Sequence, residues 1–273
     1  MTALTLNQVS KTFGGVRAVV DATFTIDNGD VFGLIGPNGA GKTTVVNLIT
    51  GYFAPTTGTI EFEDRSVIGE APFRLASRGL SRTFQNLQLF DGESVLDNVL
   101  IGRHLSFTGR RWQMWSKRRT EERAQHRAAF ELLERLGLVD LAHEDVGELP
   151  YGVRRRVEIA RALAVEPTML LLDEPTAGMT RKESDEIGEL IRSVNAEGVT
   201  VLLVDHNVRL VSNVCDRVAV MDWGAVIVEG TPAEIWDDQR VKDAYLGSGS
   251  HSSHSAVTDS VAIDEEQNAD AAG

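Results

Sequence analysis

The chain has 273 residues, of which 42% are hydrophobic and 25% charged. These are ordinary proportions for a globular protein and exclude a fibrous or wholly disordered one. With 27 basic against 40 acidic residues the net charge is −13, which argues against broad nucleic-acid binding. Its single cysteine, Cys215, excludes an intramolecular disulfide and a cysteine-built zinc site. No window reaches the ~18 uninterrupted apolar residues of a membrane helix. Met1 to Asn7 has no basic segment followed by an apolar one, so no secretory signal is expected. If the protein works at a membrane, another chain must supply the span.

In chain order, Leu4 to Val9 and Ala22 to Ile26 read as strands. Val31 to Ile35 is a short apolar run ending at Gly36, as a buried strand does. A helix from Thr43 to Thr50, closed by Gly51, and a strand from Thr59 to Phe62 follow. From Val95 to about Leu138 the pattern is helical, with Ala129, Leu132, Leu133 and Leu136 on one face. Val157 to Ala164 reads as a helix, Met169 to Leu172 and Val199 to Val204 as buried strands, and Lys182 to Asn195 as the helix between them. Val218 to Met221 and Val226 to Val228 flank Asp222-Trp223-Gly224 as a hairpin. Thr231-Pro232-Ala233-Glu234 carries a helix start with a capping box. Alternating apolar strands and helices imply an α/β core with a mainly parallel sheet, interrupted by a helical insertion.

The charge is uneven. Residues 247–273 hold five acids, no Lys or Arg, and few large apolar groups. Such a segment cannot offset its ordering entropy and is expected to be disordered. His251 and His254 within it are too sparse to make a metal site. Arg103, Arg110, Arg111, Lys117, Arg118, Arg119, Arg123 and Arg127 face only Glu121 and Glu122, with Trp112 and Trp115 among them. This stretch reads as a solvated helix face or a membrane-proximal surface rather than a nucleic-acid site.

Two motifs carry chemistry. Gly36-Pro37-Asn38-Gly39-Ala40-Gly41-Lys42-Thr43 fits the phosphate-loop pattern between a buried strand and a helix. Its glycines let backbone N–H groups turn toward phosphate oxygens, and the helix N-terminus adds positive potential. Lys42 reaches the β- and γ-phosphates, and the Thr43 hydroxyl suits Mg²⁺. The apolar strand before Asp173-Glu174 carries that acidic pair to the carboxyl edge of the sheet. There Asp173 is placed for an indirect contact with Mg²⁺, and Glu174 for activating water as a general base.

Three further segments add to these: Phe84-Gln85-Asn86, the run from Leu149 to Leu163, and Asp205-His206. Five separated motifs in this order resemble the ATP-binding cassette of ABC transporters, across residues 3–246. The resemblance implies an α/β P-loop NTPase core with an antiparallel β subdomain and an inserted helical subdomain. The expected division is a core of residues 1–85 and 159–246, a helical subdomain of 86–158 and an acidic tail of 247–273. It also implies that Phe13 stacks on adenine, that Gly36 through Thr44 hold the phosphates, and that Gln85 contacts Mg²⁺ and senses a transmembrane partner. His206 would contact the γ-phosphate. Leu149, Pro150, Tyr151 and Gly152 would complete the site of an opposite cassette, so that ATP lies between two chains packed head to tail. Catalysis then falls to Glu174, His206 and Gln85, and the Mg²⁺ site to Thr43, Gln85 and Asp173.

Arg82 to Phe90, Val95 to Val99, the insertion after His104, Glu158 to Leu163 and the closing Ala244-Tyr245-Leu246-Gly247 resemble the ATPases of branched-chain amino-acid importers. They imply an amino-acid importer subunit on the cytoplasmic face of the membrane, with permease subunits, a second ATPase and, indirectly, a solute-binding protein as partners. An importer of urea or amides, a soluble ABC ATPase acting on the ribosome or DNA, and a nucleotide-gated subunit with negligible hydrolysis are the alternatives. The family usually has Ser where Pro150 stands, Gln at Val153 and often Asp at Thr180. A proline has neither hydroxyl nor N–H for the opposite phosphate. The composite site formed with this signature is therefore expected to be slow, helped by charge from Arg154 to Arg156.

Overall fold

The structure is a computed structural model that describes residues 1–85, 87–103 and 115–247. Residues 248–273 of the expected acidic tail, its histidines, Asn86 and the side chains of the basic cluster from Arg110 to Arg119 lie outside the described residues, while Gly247 closes the last helix.

The chain opens with two long strands, β1 (Thr2–Phe13) and β2 (Val16–Asp27), joined by a Gly14-Gly15 turn. After β3 (Val31–Ile35) and α1 (Lys42–Ile49) come β4 (Thr57–Phe62), β5 (Arg65–Ser66), α2 (Pro72–Ser77) and β6 (Leu80–Arg82). The helical stretch comprises α3 (Val95–Arg103), α4 (Trp115–Arg135) and α5 (Tyr151–Leu163). The core resumes with β7 (Met169–Asp173), α6 (Arg181–Ala196), β8 (Thr200–Val204), α7 (Val208–Val214), β9 (Arg217–Asp222) and β10 (Ala225–Gly230). It ends with α8 (Pro232–Asp237) and α9 (Gln239–Gly247).

Strands β2-β1-β4-β5 form an antiparallel sheet. A second sheet has the order β10-β9-β3-β8-β7-β6, parallel throughout except for the antiparallel hairpin partner β10. The three central strands β3, β7 and β8 are buried at every residue, which is why they read as continuous apolar runs.

Period-two alternation divides this sheet between two cores. Phe32, Leu34, Leu171, Leu202, Val204 and Ala219 face one core with α1 and the antiparallel sheet. Val31, Ile35, Leu170, Leu172, Val201 and Leu203 face the other, with side chains of α3, α4, α5 and α6. Ala129, Leu132, Leu133 and Leu136 are buried in it, as their spacing predicts.

Two expectations are corrected here. Helix α5 begins at Tyr151, six residues before the apolar spacing suggests, because Pro150 serves as its N-cap. The expected boundary between residues 158 and 159 falls inside that helix. Arg103 does not belong to a solvated basic face: it is buried, donating to Gln125 Oε1, to Ala164 O (3.3 Å) and to Glu166 Oε1 (3.0 Å).

Thr180 acquires a clear structural role. It is the N-cap of α6, accepting from the Glu183 N–H at 3.4 Å, while Glu183 Oε2 accepts from the Thr180 N–H at 2.8 Å and hydroxyl at 2.7 Å. This capping box satisfies donors at a helix start. Thr180→Ala is expected to lower stability by about 1 kcal/mol, whereas Thr180→Asp, itself a good cap, leaves it within about 0.5 kcal/mol. Urea denaturation checks both; equal loss in the two variants would dismiss capping as the role of Thr180.

Candidate functional site

The register of the central sheet assembles the site. Leu34 of β3 lies beside Val204 of β8, which lies beside Asp173 of β7. The residues that follow these strands therefore emerge together at the carboxyl edge, the usual ligand crevice of an open α/β sheet. They are the Gly36 loop, Asp205-His206 and Glu174.

The loop has no room for a side chain at Gly36 or Gly41. A Cβ on Gly36 would lie 2.1 Å from Met221 O, and one on Gly41 would lie 2.4 Å from Ala18 O. Gly36, Gly39 and Gly41 all have positive φ, which L-residues adopt only at a cost. Pro37 is half-buried, Asn38 is exposed and Ala40 is buried. Gly41 caps α1 without a side-chain hydrogen bond, so the first-turn N–H donors, Lys42, Thr43 and Thr44 among them, are left for an external acceptor. Thr43 is exposed and Thr44 half-buried. The buried Lys42 donates from Nζ to Gly36 O at 2.8 Å and Pro37 O at 3.0 Å. Burial lowers its pKa, while the negative charges of Glu174, Asp173 and Asp205 work the other way.

Asp173 is 1% exposed. Its Oδ2 accepts from Arg82 Nη2 at 3.3 Å, and its Oδ1 is buried with no hydrogen-bond partner. Burial raises its pKa, opposed by the Arg82 guanidinium. An orphaned carboxylate oxygen is an electrostatic cost that a cation nearby would relieve. The Thr43 hydroxyl, the Gln85 carbonyl and this carboxylate, the groups expected to hold Mg²⁺, would all offer oxygen, the donor chemistry that suits that ion.

Glu174 holds a left-handed backbone, φ 47°. Its N–H donates to Val204 O at 2.7 Å. Gln85 Nε2 donates to Glu174 Oε2 at 3.0 Å, and His206 Nδ1 stands 3.9 Å from Glu174 Oε1. The neighbouring Asp205 is fully buried, accepting from the Thr176 hydroxyl at 2.8 Å and the Asn207 N–H at 2.8 Å.

Phe13 is 40% exposed at the end of β1, edge-on to Phe53 at 5.1 Å, with Lys11 Nζ 4.9 Å from its ring. It is a presented ring rather than a core one. The signature residues stand apart: no hydrogen bond or ion pair among the described residues joins Leu149, Pro150, Tyr151 or Gly152 to the phosphate loop. Pro150 and Tyr151 are exposed, Leu149 is half-buried, and a Cβ on Gly152 would lie 2.6 Å from Glu183 Oε1.

The expectation that Arg154 to Arg156 add charge at the signature fails for Arg155. That side chain is fully buried and pairs with Glu158 at 2.6 Å, while Arg154 pairs with Asp91 at 2.7 Å. Arg155 and Arg82 are the polar groups that sequence reading missed. The available signal was Arg155 and Glu158 at i,i+3 on the stripe of α5 that also holds Gly152, Ile159 and Ala162. Charges on a buried helix face occur only when paired.

A profile of the ABC transporter family matches residues 19–177, and one of the branched-chain amino acid ATP-binding cassette transporter matches residues 225–251. The high-affinity branched-chain amino acid transport ATP-binding protein BraF of Pseudomonas aeruginosa is 38% identical over 249 residues, 89% of this chain and 97% of that one. LivG of Escherichia coli K12, with the same description, is 40% identical over 250 residues, again 89% and 97%. The lipopolysaccharide export system ATP-binding protein LptB of Escherichia coli K12 is 36% identical over 247 residues, 90% and 98%. An ATP-binding cassette of an ABC transporter solved in its ADP conformation superposes with a TM-score of 0.79 at 32% identity, covering 90% of this chain and 99% of that one. The chain belongs to the ABC transporter family as an ATP-hydrolysing cassette, close to the ATP-binding proteins of branched-chain amino acid transport.

Proposed function

We propose that the chain powers an importer of branched-chain or other hydrophobic amino acids, working as a dimer of cassettes beneath separate permease subunits at the cytoplasmic face of the membrane. The observation that carries this reading is the likeness to BraF and LivG over 97% of their length, together with the C-terminal match at residues 225–251. The second cassette is a copy of this chain or a related one, and a solute-binding protein delivers the substrate to the permeases. LptB supports a second reading, in which the cargo is a lipid-linked saccharide moving outward. Purifying the intact membrane complex and measuring ATPase activity separates the two. Stimulation by a binding protein loaded with leucine, isoleucine or valine is expected, and stimulation by a glycolipid alone would overturn the importer reading.

In this reading, Phe13 stacks on adenine and the loop Gly36–Thr44 wraps the phosphates. Lys42 exchanges the Gly36 and Pro37 carbonyls for the β- and γ-phosphate oxygens. Thr43, Gln85 and Asp173 are the residues that would hold Mg²⁺, which when bound neutralises phosphate charge. Glu174 accepts a proton from the attacking water as that water's oxygen bonds to the γ-phosphorus and the bond from that phosphorus to the β–γ bridging oxygen breaks, so that ADP and inorganic phosphate leave. Gln85 fixes one carboxylate oxygen of Glu174, and His206 lies beside the other and meets the γ-phosphate. Leu149 to Gly152 close the opposite site through the N-terminus of α5 and the Gly152 N–H. A groove of about 350 Å³ beside Gln85, lined by Tyr52, Phe73, Phe84 and Ile101, offers exposed apolar side chains to a permease segment.

Glu174→Gln keeps the Gln85 contact but loses the base. Turnover should fall about a hundredfold or more with ATP binding preserved, as single-turnover and equilibrium-binding assays check; full activity would remove Glu174 from this role. Pro150→Ser restores a hydroxyl at the composite site. The assembled transporter should then hydrolyse ATP about tenfold faster, the worth of one hydrogen bond to a charged group at ~1.5 kcal/mol. An unchanged rate at saturating ATP would count against a slow composite site.

A further inference from the structure

Arg155 is the largest fully buried side chain of the molecule's described residues. It lies on α5, one turn in from the signature residues, yet its guanidinium reaches two other segments of the chain as well as Glu158 of its own helix. Nη1 donates to Glu158 Oε2 at 2.6 Å and to Phe84 O at 2.7 Å. Nη2 donates to Gln85 O at 3.0 Å and to Glu174 O at 3.2 Å. Glu158 strengthens the link by accepting from the Phe84 N–H at 3.3 Å. One fork thus grips the backbone of both residues whose side chains meet at the Gln85–Glu174 hydrogen bond.

The conformation of Glu174 makes this grip consequential. A left-handed glutamate persists only where its surroundings over-determine it. The Val204 carbonyl holds its N–H from one side, and Arg155 holds its carbonyl from the other. The planar, two-pronged guanidinium suits this task; an ammonium is a single point and cannot span Gln85 O and Glu174 O with defined geometry.

We infer that Arg155 is a positioning residue for hydrolysis: it sets the Glu174 carboxylate against Gln85 and ties both to the signature helix. Because α5 presents its N-terminus to the opposite site, a displacement of that helix by nucleotide there reaches Glu174 and Gln85 of this chain through Arg155. The inference rests on the reading of Glu174 as the general base, and it adds a specific carrier of communication between the two sites.

The test uses the full-length chain with two variants. Arg155→Lys keeps the charge opposite Glu158 but loses the fork. Arg155→Met combined with Glu158→Gln removes both buried charges together, so that neither is left unpaired, and Gln keeps an acceptor for the Phe84 N–H. In both, thermal melting is expected near that of the unaltered chain, and the Kd for a non-hydrolysable ATP analogue within twofold. The kcat at saturating MgATP should fall about tenfold to a hundredfold, the cost of misplacing a reacting group by about 1 Å. A kcat within twofold of the unaltered chain in either variant overturns the inference. So does a loss of nucleotide affinity or of melting temperature in step with kcat, which would mark Arg155 as merely structural. Glu174→Gln is measured alongside: if it retains turnover, the base assignment fails, whereas arrest in Glu174→Gln with full activity in the Arg155 variants rejects only the positioning role.

Discussion

Parallel pairing of β3 with β8 and β8 with β7 is the constraint on which the molecule depends. Those three strands have no exposed residue, so their register is set by two packed faces at once. A one-residue slip would exchange every side chain between the two cores. Holding that register brings the Gly36 loop, Glu174 and Asp205-His206 to one edge although they lie far apart in the chain. A charged and glycine-rich crevice is thereby mounted on strands that are buried at every residue.

The polar groups at that edge are held by partners that the cores force on them. Asp173, Asp205, Arg155 and Glu158 are nearly or fully buried, where an unpaired charge is costly. Thr176 and Asn207 hold Asp205, Arg82 holds one oxygen of Asp173, and Glu158 holds Arg155. Arg82 also bonds Asn47 of α1 at 2.6 Å and stacks over the Phe84 ring at 4.8 Å. The helix after the phosphate loop, the acidic strand and the Gln85 segment are therefore fixed relative to one another before any ligand arrives. Removing one member of the Arg155–Glu158 pair alone would strand the other in the core, a loss of about 3–5 kcal/mol for a buried ion pair.

Reading along the chain recovered the parts whose signal is local. Strand β3 was located at both ends because its apolar run is bounded by polar Asp30 and Gly36. The capping box Thr231–Glu234 and the β9–β10 hairpin carry their own turn chemistry and appear as expected. Signals failed where a long-range partner decides. The short strand β6 is held by pairing with β7 and by the Ser81 hydroxyl on Ala162 O at 2.7 Å, and three residues have no period to detect. Helix α7 depends on Asn207, whose side chain caps it at the Leu210 N–H while its Nδ2 donates to Ser184 Oγ of α6 at 3.0 Å.

From the sequence alone came the family, the α/β class, the phosphate loop and the acidic pair. Each is written in contiguous residue types whose chemistry needs that spacing. The uneven charge behind the net −13 was also legible there, as a matter of counting. Only the tertiary structure decided which charges are available. It buried Arg103 and Arg155, paired Arg154 with Asp91 and left one oxygen of Asp173 without a partner. It also turned Thr180 from an apparent departure into a helix cap. The physical reason is that a charge is identified by its residue type, but its energy and its role are set by desolvation and by partners that only folding brings within a few ångströms.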